Sequence, residues 1–566
     1  MNWKIQQFSN GGRVFALAWA VLFAPATLDL RAATAPATAV PEPRRGGTLR
    51  LAFSADPRSL DPAQAFSDNE NMLGFFICNT LVDTTVEGGF VPMLAESLPE
   101  TTPDGLAFTF QLRRGVRFST GKEMTAEDVR GSLERLLDPT TAGVNSAYLA
   151  AIKGSAAFAE ARRKEAISPL PPSATSRRWI PPLNAVGLQT LDRYKIRIRL
   201  DKPDQAFLKQ LATACCAIVS IDATQHAGAG FSSTPVGTGP FVVREWVRGA
   251  RIRLGRNPHY YFTDRPRPKQ VDILVNVDSS TQFMMFERGE LDCQLSILDP
   301  DFARIKRTPS LRSKLKIITG TTPTFIAMNC EMPPFNNRLV RLALNHAVDK
   351  QGLVKLLGNR CEVSHGVVPF TVSNFKQFLP DYAYDPTRAR ALLAEAGFPN
   401  GFATTLWTAR EDSGRMKIAL HVRQCLREIG VKLEIKEVSS TALLDSSGRR
   451  GIVPLGIRSW SVGIDDPKEM LDSLLNGDNI TDQNCLNTAF YANPRVQQWF
   501  RDAAAASKPD QRYEIYRRIE RQVFEEAPWI FLVHLNSEMT FQPWLKGIQA
   551  TGFCPPVRLE HCWLER

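Results

Sequence analysis

Between residues 322 and 357 the chain sets an extended run, T-P-T-F-I-A-M-N-C, before a turn containing Pro333, Pro334, Phe335 and Asn336. The run R-L-A-L-N-H-A-V-D-K-Q-G-L-V-K-L-L (341–357) follows, with apolar residues at helical spacing and an Asp349-Lys350 turn closing the stripe. A strand, a loop and a core helix in direct succession call for an α/β layer. One such layer cannot account for the whole chain. At 566 residues it exceeds what a single hydrophobic core organises, so two or more lobes are expected. With 43% hydrophobic and 22% charged residues, its composition is that of a soluble globular protein.

Residues 1–39 read as a signal peptide. Lys4 and Arg13 precede the apolar run 14–28, and the small-residue stretch R-A-A-T-A-P-A-T-A-V follows. The apolar run, about 15 residues, is short of the ~20 that a spanning helix needs. Cleavage after Ala39 satisfies Ala-x-Ala, with Ala33 an alternative. No cysteine precedes Cys78, so the leader offers none for lipidation, and a protein free in a periplasm is expected. The leader carries +2 of the chain's +11 and leaves +9. That charge is scattered, and runs such as 196–200 and 251–254 alternate as exposed strand faces do, so no nucleic-acid partner is expected. Ten cysteines, an even number in an exported chain, imply disulfides. Cys554 and Cys562 are near enough to pair across a turn, while adjacent Cys215 and Cys216 would more easily find separate partners.

Along the chain, T-L-R-L-A-F (48–53) is an alternating strand, and D-G-L-A-F-T-F-Q-L (104–112) and G-V-R-F (115–118) read as two more. Thr125, three residues before Asp128, opens a capped helix. Residues 163–184, with five prolines, read as an irregular surface insertion before a strand pair around 194–200. A hairpin is expected from 241–246 and 251–254 with Gly249 at its turn, then a helix at 282–288. Another helix starts at Asp385-Pro386 and ends before Gly397. P-W-I-F-L-V-H-L (528–535) reads as a buried strand.

Catalytic patterns are missing. There is no His-Glu-x-x-His, no Gly-x-Ser-x-Gly and no phosphate loop. Ser119 and Lys122 have Ser-x-x-Lys spacing, but Gly121 between them and a helix start at Thr125 make the segment a β-turn. The seven histidines are dispersed without paired ligand spacing. Of the adjacent Asp465 and Asp466, the second precedes Pro467 and reads as a helix N-cap. No catalytic residue, metal site or cofactor is expected.

Five segments in fixed order carry a family likeness. They are the strand, turn and helix already quoted, then G-T-G-P-F (237–241), R-N-P-H-Y-Y (256–261), G-E-L-D (289–292) and Y-D-P-T-R-A-R-A-L-L-A-E-A-G (384–397). Together they resemble the large extracellular solute-binding proteins of dipeptide, oligopeptide and nickel ABC importers, over roughly residues 46–550. The resemblance implies a large bilobal α/β periplasmic-binding-protein fold of type II, the peptide-binding class, with an extra subdomain on the first lobe. Lobe I would span 46–318, with the subdomain at about 85–200. Lobe II would span 319–527, and 528–566 would return to lobe I. It further implies a monomer that captures a peptide or peptide-like solute between closing lobes and passes it to an inner-membrane permease. A receptor for a metal chelate or an opine is the alternative, and a secreted enzyme a third reading.

The segment R-S-W-S-V-G-I-D-D-P (458–467) matches the family's Trp-x-x-Asp…Asp-Pro cleft loop, in which the Asp after Trp holds a peptide's α-amino group. Here that place is Gly463, so the anchor is lost unless Asp465 substitutes. Trp460 is suited to stack over a ligand backbone or cation. In L-W-T-A-R-E-D (406–412), Arg410 aligns with a carboxylate-binding arginine, a role its two-pronged guanidinium suits. Trp407 and Arg458 complete the expected ligand-binding set.

Overall fold

The computed structural model describes residues 45–85, 88–167, 187–372, 375, 379–410, 412–506 and 508–566. The leader and the proline cluster after residue 167 lie outside the described residues. In the first lobe, β1 (Thr48–Ala52), β2 (Phe241–Val247), β3 (Arg251–Arg256) and β4 (Gln270–Leu274) form a sheet in the order β1-β4-β3-β2. Only β1 and β4 run parallel. The expected hairpin is present, and Gly249 takes the positive φ of its turn, +74°.

A second sheet orders Glu100–Thr101, Ala107–Gln111, Lys195–Arg199 and Leu188–Asp192. The helix Ala126–Leu137 shares a core with it, Leu133 and Leu136 joining Phe110, Ile196 and Ile198. Asp128 accepts the backbone N–H of Thr125 at 3.0 Å, the reciprocal cap read from the spacing. Two expectations need correction. G-V-R-F forms no strand beyond one bridge between Arg117 and Glu123. Its end feeds the turn at Gly121, whose N–H bonds Phe118 O at 2.8 Å. The helix Ser155–Ile167 also extends into the stretch expected to be irregular, because no proline occurs there before Pro169.

The second lobe is built on β5 (Leu315–Met328), β6 (Ala403–Ala409), β7 (Lys432–Val438), β8 (Leu455–Ser459) and β9 (Trp529–Phe541). With Cys293–Gln294 at one edge, the order is Cys293–Gln294, β9, β5, β8, β6, β7, and Cys361–Val363 also pairs with β9. Side chains alternate across a strand, so β5 feeds two cores. Ile326 and Met328 join Leu406, Ile457 and the helices Arg338–Ala347, Pro386–Glu395 and Ser413–Arg427. Phe325 and Ala327 face the opposite core, where Phe325 stacks on Trp529 with ring centroids 3.5 Å apart. Coverage on both faces explains a strand without polar alternation. The long stripe after β5 is two helices, Arg338–Ala347 and Lys350–Leu356, because Asp349 caps a new one by accepting Gly352 N–H at 2.8 Å.

Strands β5 and β9 are shared by both lobes. Ile318 and Met539 pack with Leu49 and Leu51, whereas Ile326, Ile530 and Leu532 pack in the second lobe. Between them the register slips from Ile318 opposite Ser537 to Thr322 opposite Leu535, leaving two extra residues on β5. Gly320, φ +63°, turns within this bulge and its N–H bonds Asn536 Oδ1 at 2.9 Å.

All ten cysteines are free thiols, so the expected disulfides are not formed. Cys562 packs in the first-lobe core, while Cys554 Sγ lies 3.3 Å from Asn71 Nδ2, so these two sulfurs serve different surroundings. Cys215 and Cys216 both lie beside Thr213 Oγ1, at 3.2 and 3.6 Å. Among the described residues no helix is long and apolar enough to cross a membrane.

Candidate binding site

Strand β6 is parallel to both β7 and β8. The carboxyl ends of β6 and β8 therefore emerge at one edge of the sheet, where α/β sheets hold ligands. Arg410 follows β6 and Trp460 follows β8. The pairs Phe325–Arg458, Ala327–Gly456 and Trp407–Gly456 put Trp407 and Arg458 on the sheet face that carries Phe325. Trp407 is covered by Lys436, whose Nζ stands 3.6 Å from its ring centroid. Arg410 is exposed, its N–H bonded to Val438 O at 2.9 Å.

Arg458 is the unusual member. Its half-buried guanidinium has no hydrogen-bond or ion-pair partner among the described residues. Burial, and then the nearby Arg415 guanidinium, push its pKa down to about 10. Arg415 itself leans on Asp412, with Nε 3.1 Å from the carboxylate. Two cations held together, one of them unpaired, favour a bound anion.

The loop after β8 gathers the rest. Trp460, half-buried, donates its backbone N–H to Pro323 O at 3.1 Å and its indole N–H to Glu469 Oε1 at 3.4 Å. The same carboxylate accepts the N–H groups of Gly463 and Ile464, each at 2.8 Å to Oε2. Burial still pushes Glu469 up to about 7. Asp466 caps the helix Pro467–Leu475, accepting Lys468 N–H at 2.9 Å, as its Asp-Pro pattern required. Both its oxygens are held by Arg512, at 2.6 and 2.8 Å. Burial alone would raise Asp466, but Arg512 keeps it below the ordinary carboxylate value.

Asp465, half-buried, offers its backbone carbonyl to the Lys209 ammonium of the first lobe. Three more contacts join the lobes along this seam: Lys468 with Asp204, Gln205 Nε2 to Ala506 O at 2.5 Å, and Cys554 N–H to Val462 O at 2.8 Å. The structure thus brings Trp460, Arg458 and Trp407 to one strand edge. Arg410 lies on the surface beside it, and Asp465 lies at the seam. Glu469 and Tyr148 were not anticipated. The spacing Asp466-x-x-Glu469 is a helix-start signal that marked Glu469, although it bonds further up the loop than a capping box would.

A family model of bacterial extracellular solute-binding proteins, family 5, matches residues 89–482. The chain belongs to that family. It is similar to heme-binding protein A of Haemophilus influenzae, at 30% identity over 478 residues and 82% of each chain. It is also similar to the glutathione-binding protein GsiB of Escherichia coli, 27% identical over 446 residues, 78% of this chain and 80% of that one. Among solved structures, clavulanic acid biosynthesis oligopeptide binding protein 2 superposes with a TM-score of 0.83 at 25% identity, covering 92% of this chain and 96% of that one. This solute-binding protein therefore has the bilobal α/β fold of the substrate receptors of ABC importers. Among its described residues no group of three or more His, Cys, Asp or Glu is placed to hold a metal ion.

Proposed function

We propose that this solute-binding protein receives a peptide or peptide-like solute carrying a carboxylate, in the periplasm after removal of its leader, and presents it as a monomer to an inner-membrane permease. The observation that carries this reading is Arg458, a half-buried guanidinium unpaired within the described protein, two residues before Trp460 at the carboxyl edge of the sheet. Its neighbour Arg415 adds to the pull on a carboxylate, Arg410 guards the rim, and Trp460 offers a stacking face. Lys436 already occupies a face of Trp407, so Trp407 acts through packing. Asp465 helps to hold the lobes together through its carbonyl. Relatives named for binding heme, glutathione and oligopeptides share one chemistry: each of those ligands carries carboxylates.

Closure turns on the shared strands. We place the crossings at the β5 bulge, residues 318–322, and at 535–537 on β9, rather than at 528, because Ile530 and Leu532 still pack with second-lobe residues. No chemical step is assigned to the protein.

Native mass spectrometry of protein purified gently from its own periplasm tests the reading. A heterogeneous set of bound masses resolving into peptides is expected. A single discrete non-peptide or metal-containing mass overturns it in favour of a specialised chelate or opine receptor.

A further inference from the structure

The helix that follows the Trp460 loop carries an anion without a cation in its first turn. Glu469 is only 8% exposed, yet it takes part in no ion pair among the described residues. Its partners are two backbone N–H groups and the Trp460 indole. Buried carboxylates are ordinarily paired. Its neighbour Asp466, one helical turn away, shows what pairing looks like, with both oxygens on Arg512.

The surroundings of Glu469 suit an ammonium group. Gly463 lies directly over it. A Cβ on Gly463 would stand 3.3 and 3.6 Å from the two Glu469 oxygens and 3.0 Å from the hydroxyl of Tyr148. A side chain at 463 would thus crowd the carboxylate from this side, where glycine leaves room. Tyr148 comes from the first lobe, so its hydroxyl can meet a bound group only when the lobes are together. The Trp460 indole N–H holds one oxygen of the same carboxylate, which fixes beside it a ring whose face, not its edge, attracts cations.

Resting on the reading of a peptide-like solute, we propose that Glu469 is the specificity-determining anion that receives the solute's ammonium group, reached across Gly463 and covered by Tyr148. Arg458 and Glu469 then read the two charges of a zwitterion. Because burial holds Glu469 at about 7, a cation binds best to its ionised form, and capture weakens as pH falls below neutrality. The charged or titratable groups near Glu469 are Asp466 on its own turn, and Tyr148, Cys215 and Cys554 from the first lobe. Burial raises Tyr148 and Cys554 away from neutrality, Arg512 holds Asp466 low, and hydrogen bonds from Cys216 and Thr213 lower Cys215.

The test is calorimetric titration of the purified protein with alanine peptides of two to five residues, each free and N-acetylated. For the best-binding length, acetylation should weaken the wild type tenfold or more, and Glu469→Gln should bind both forms alike. Loss of both forms by one factor in Glu469→Gln, with the acetylation effect retained, assigns Glu469 to loop structure and overturns the proposal. If Glu469→Gln fails to fold, the wild type decides. Its affinity for the free peptide should fall several-fold from about pH 7.5 to pH 6, with the acetylated peptide unchanged and Cys215→Ala giving the same profile. Parallel profiles for the two peptides, or a profile abolished by Cys215→Ala, overturn it. Failure of every alanine peptide to bind, together with a discrete non-peptide mass on the native protein, removes the peptide reading and this inference with it.

Discussion

Two neighbouring regions of the second lobe treat buried charge in opposite ways. At the start of the helix Pro467–Leu475, Asp466 is gripped by Arg512, approached by Lys209 at 3.9 Å, and flanked by the Lys468–Asp204 ion pair. At the strand edge beside it, Arg458 has no partner among the described residues, and Glu469 has only dipoles. The first region is architecture: its charges offset one another's desolvation and fasten the helix, the loop and the first lobe together. The second has no ion pair to offset its desolvation cost, and at Glu469 hydrogen bonds offset only part of it. A protein under selection for folding alone gains nothing by that, and on the proposed reading the unpaired region is where a ligand's charges would complete the electrostatics.

The comparison breaks most easily at Arg512. Arg512→Leu leaves Asp466 buried with only the more distant Lys209 as a cation, and should cost about 3–5 kcal/mol of stability, read as a lowered urea midpoint at neutral pH. Arg458→Met should do the reverse, leaving the midpoint unchanged or raised while affinity for the native solute falls about tenfold, or ~1.4 kcal/mol. If Arg458→Met destabilises as Arg512→Leu does, the two regions are not different in kind. Trp460→Ala should likewise weaken solute binding tenfold or more without loss of folding, and unchanged affinity would remove Trp460 from the site.

Much of this arrangement was legible in the sequence. Hydrophobic period, caps and turn glycines marked β5, the β2–β3 hairpin, and the helices at Thr125 and Asp385, because each depends on neighbours in the chain. The helix start after β8 was legible through Asp466-Pro467. What escaped depends on contacts distant in sequence. That Arg458, and not the exposed Arg410, is the buried unpaired guanidinium follows from burial and from Arg415, which no local pattern reports. Tyr148 meets the Gly463 loop across more than 300 positions of chain. Cys554 and Cys562, close in sequence, are separated because Cys562 enters the first-lobe core while the Cys554 sulfur sits against Asn71.

The two carboxylates also predict opposite pH responses. Glu469 has a folded value of about 7, above its ordinary 4.5, so its contribution to stability is fully present below about 4.5 and is lost as pH rises through 7. Asp466 is held below its ordinary 3.8, so its contribution is present above that value and is lost as pH falls through the lower folded one. In urea unfolding without added solute, the stability of wild type relative to Glu469→Gln should therefore decline from pH 5 to pH 7.5. A difference that does not vary with pH would mean that the Glu469 carboxylate is compensated after all.

The smallest expected effect is the most local. Gly463 does not occupy the left-handed region, so alanine there strains no backbone, and its new carbon would meet only side-chain ends, Tyr148 Oη at 3.0 Å and Glu469 Oε1 at 3.3 Å. Both can yield by a few tenths of an ångström, so stability should change by less than about 1 kcal/mol. Tyr148 belongs to the first lobe, however, and the contact tightens only as the lobes come together. Gly463→Ala should therefore act on closure, lowering solute affinity about two- to fivefold with little change in the urea midpoint. Tyr148→Phe removes the oxygen in the way, so adding it to Gly463→Ala should recover part of that loss, a coupling that two independent sites would not show. Strict additivity of the two changes would mean that Tyr148 does not close over Gly463, and would leave Glu469 open to solvent in the bound state.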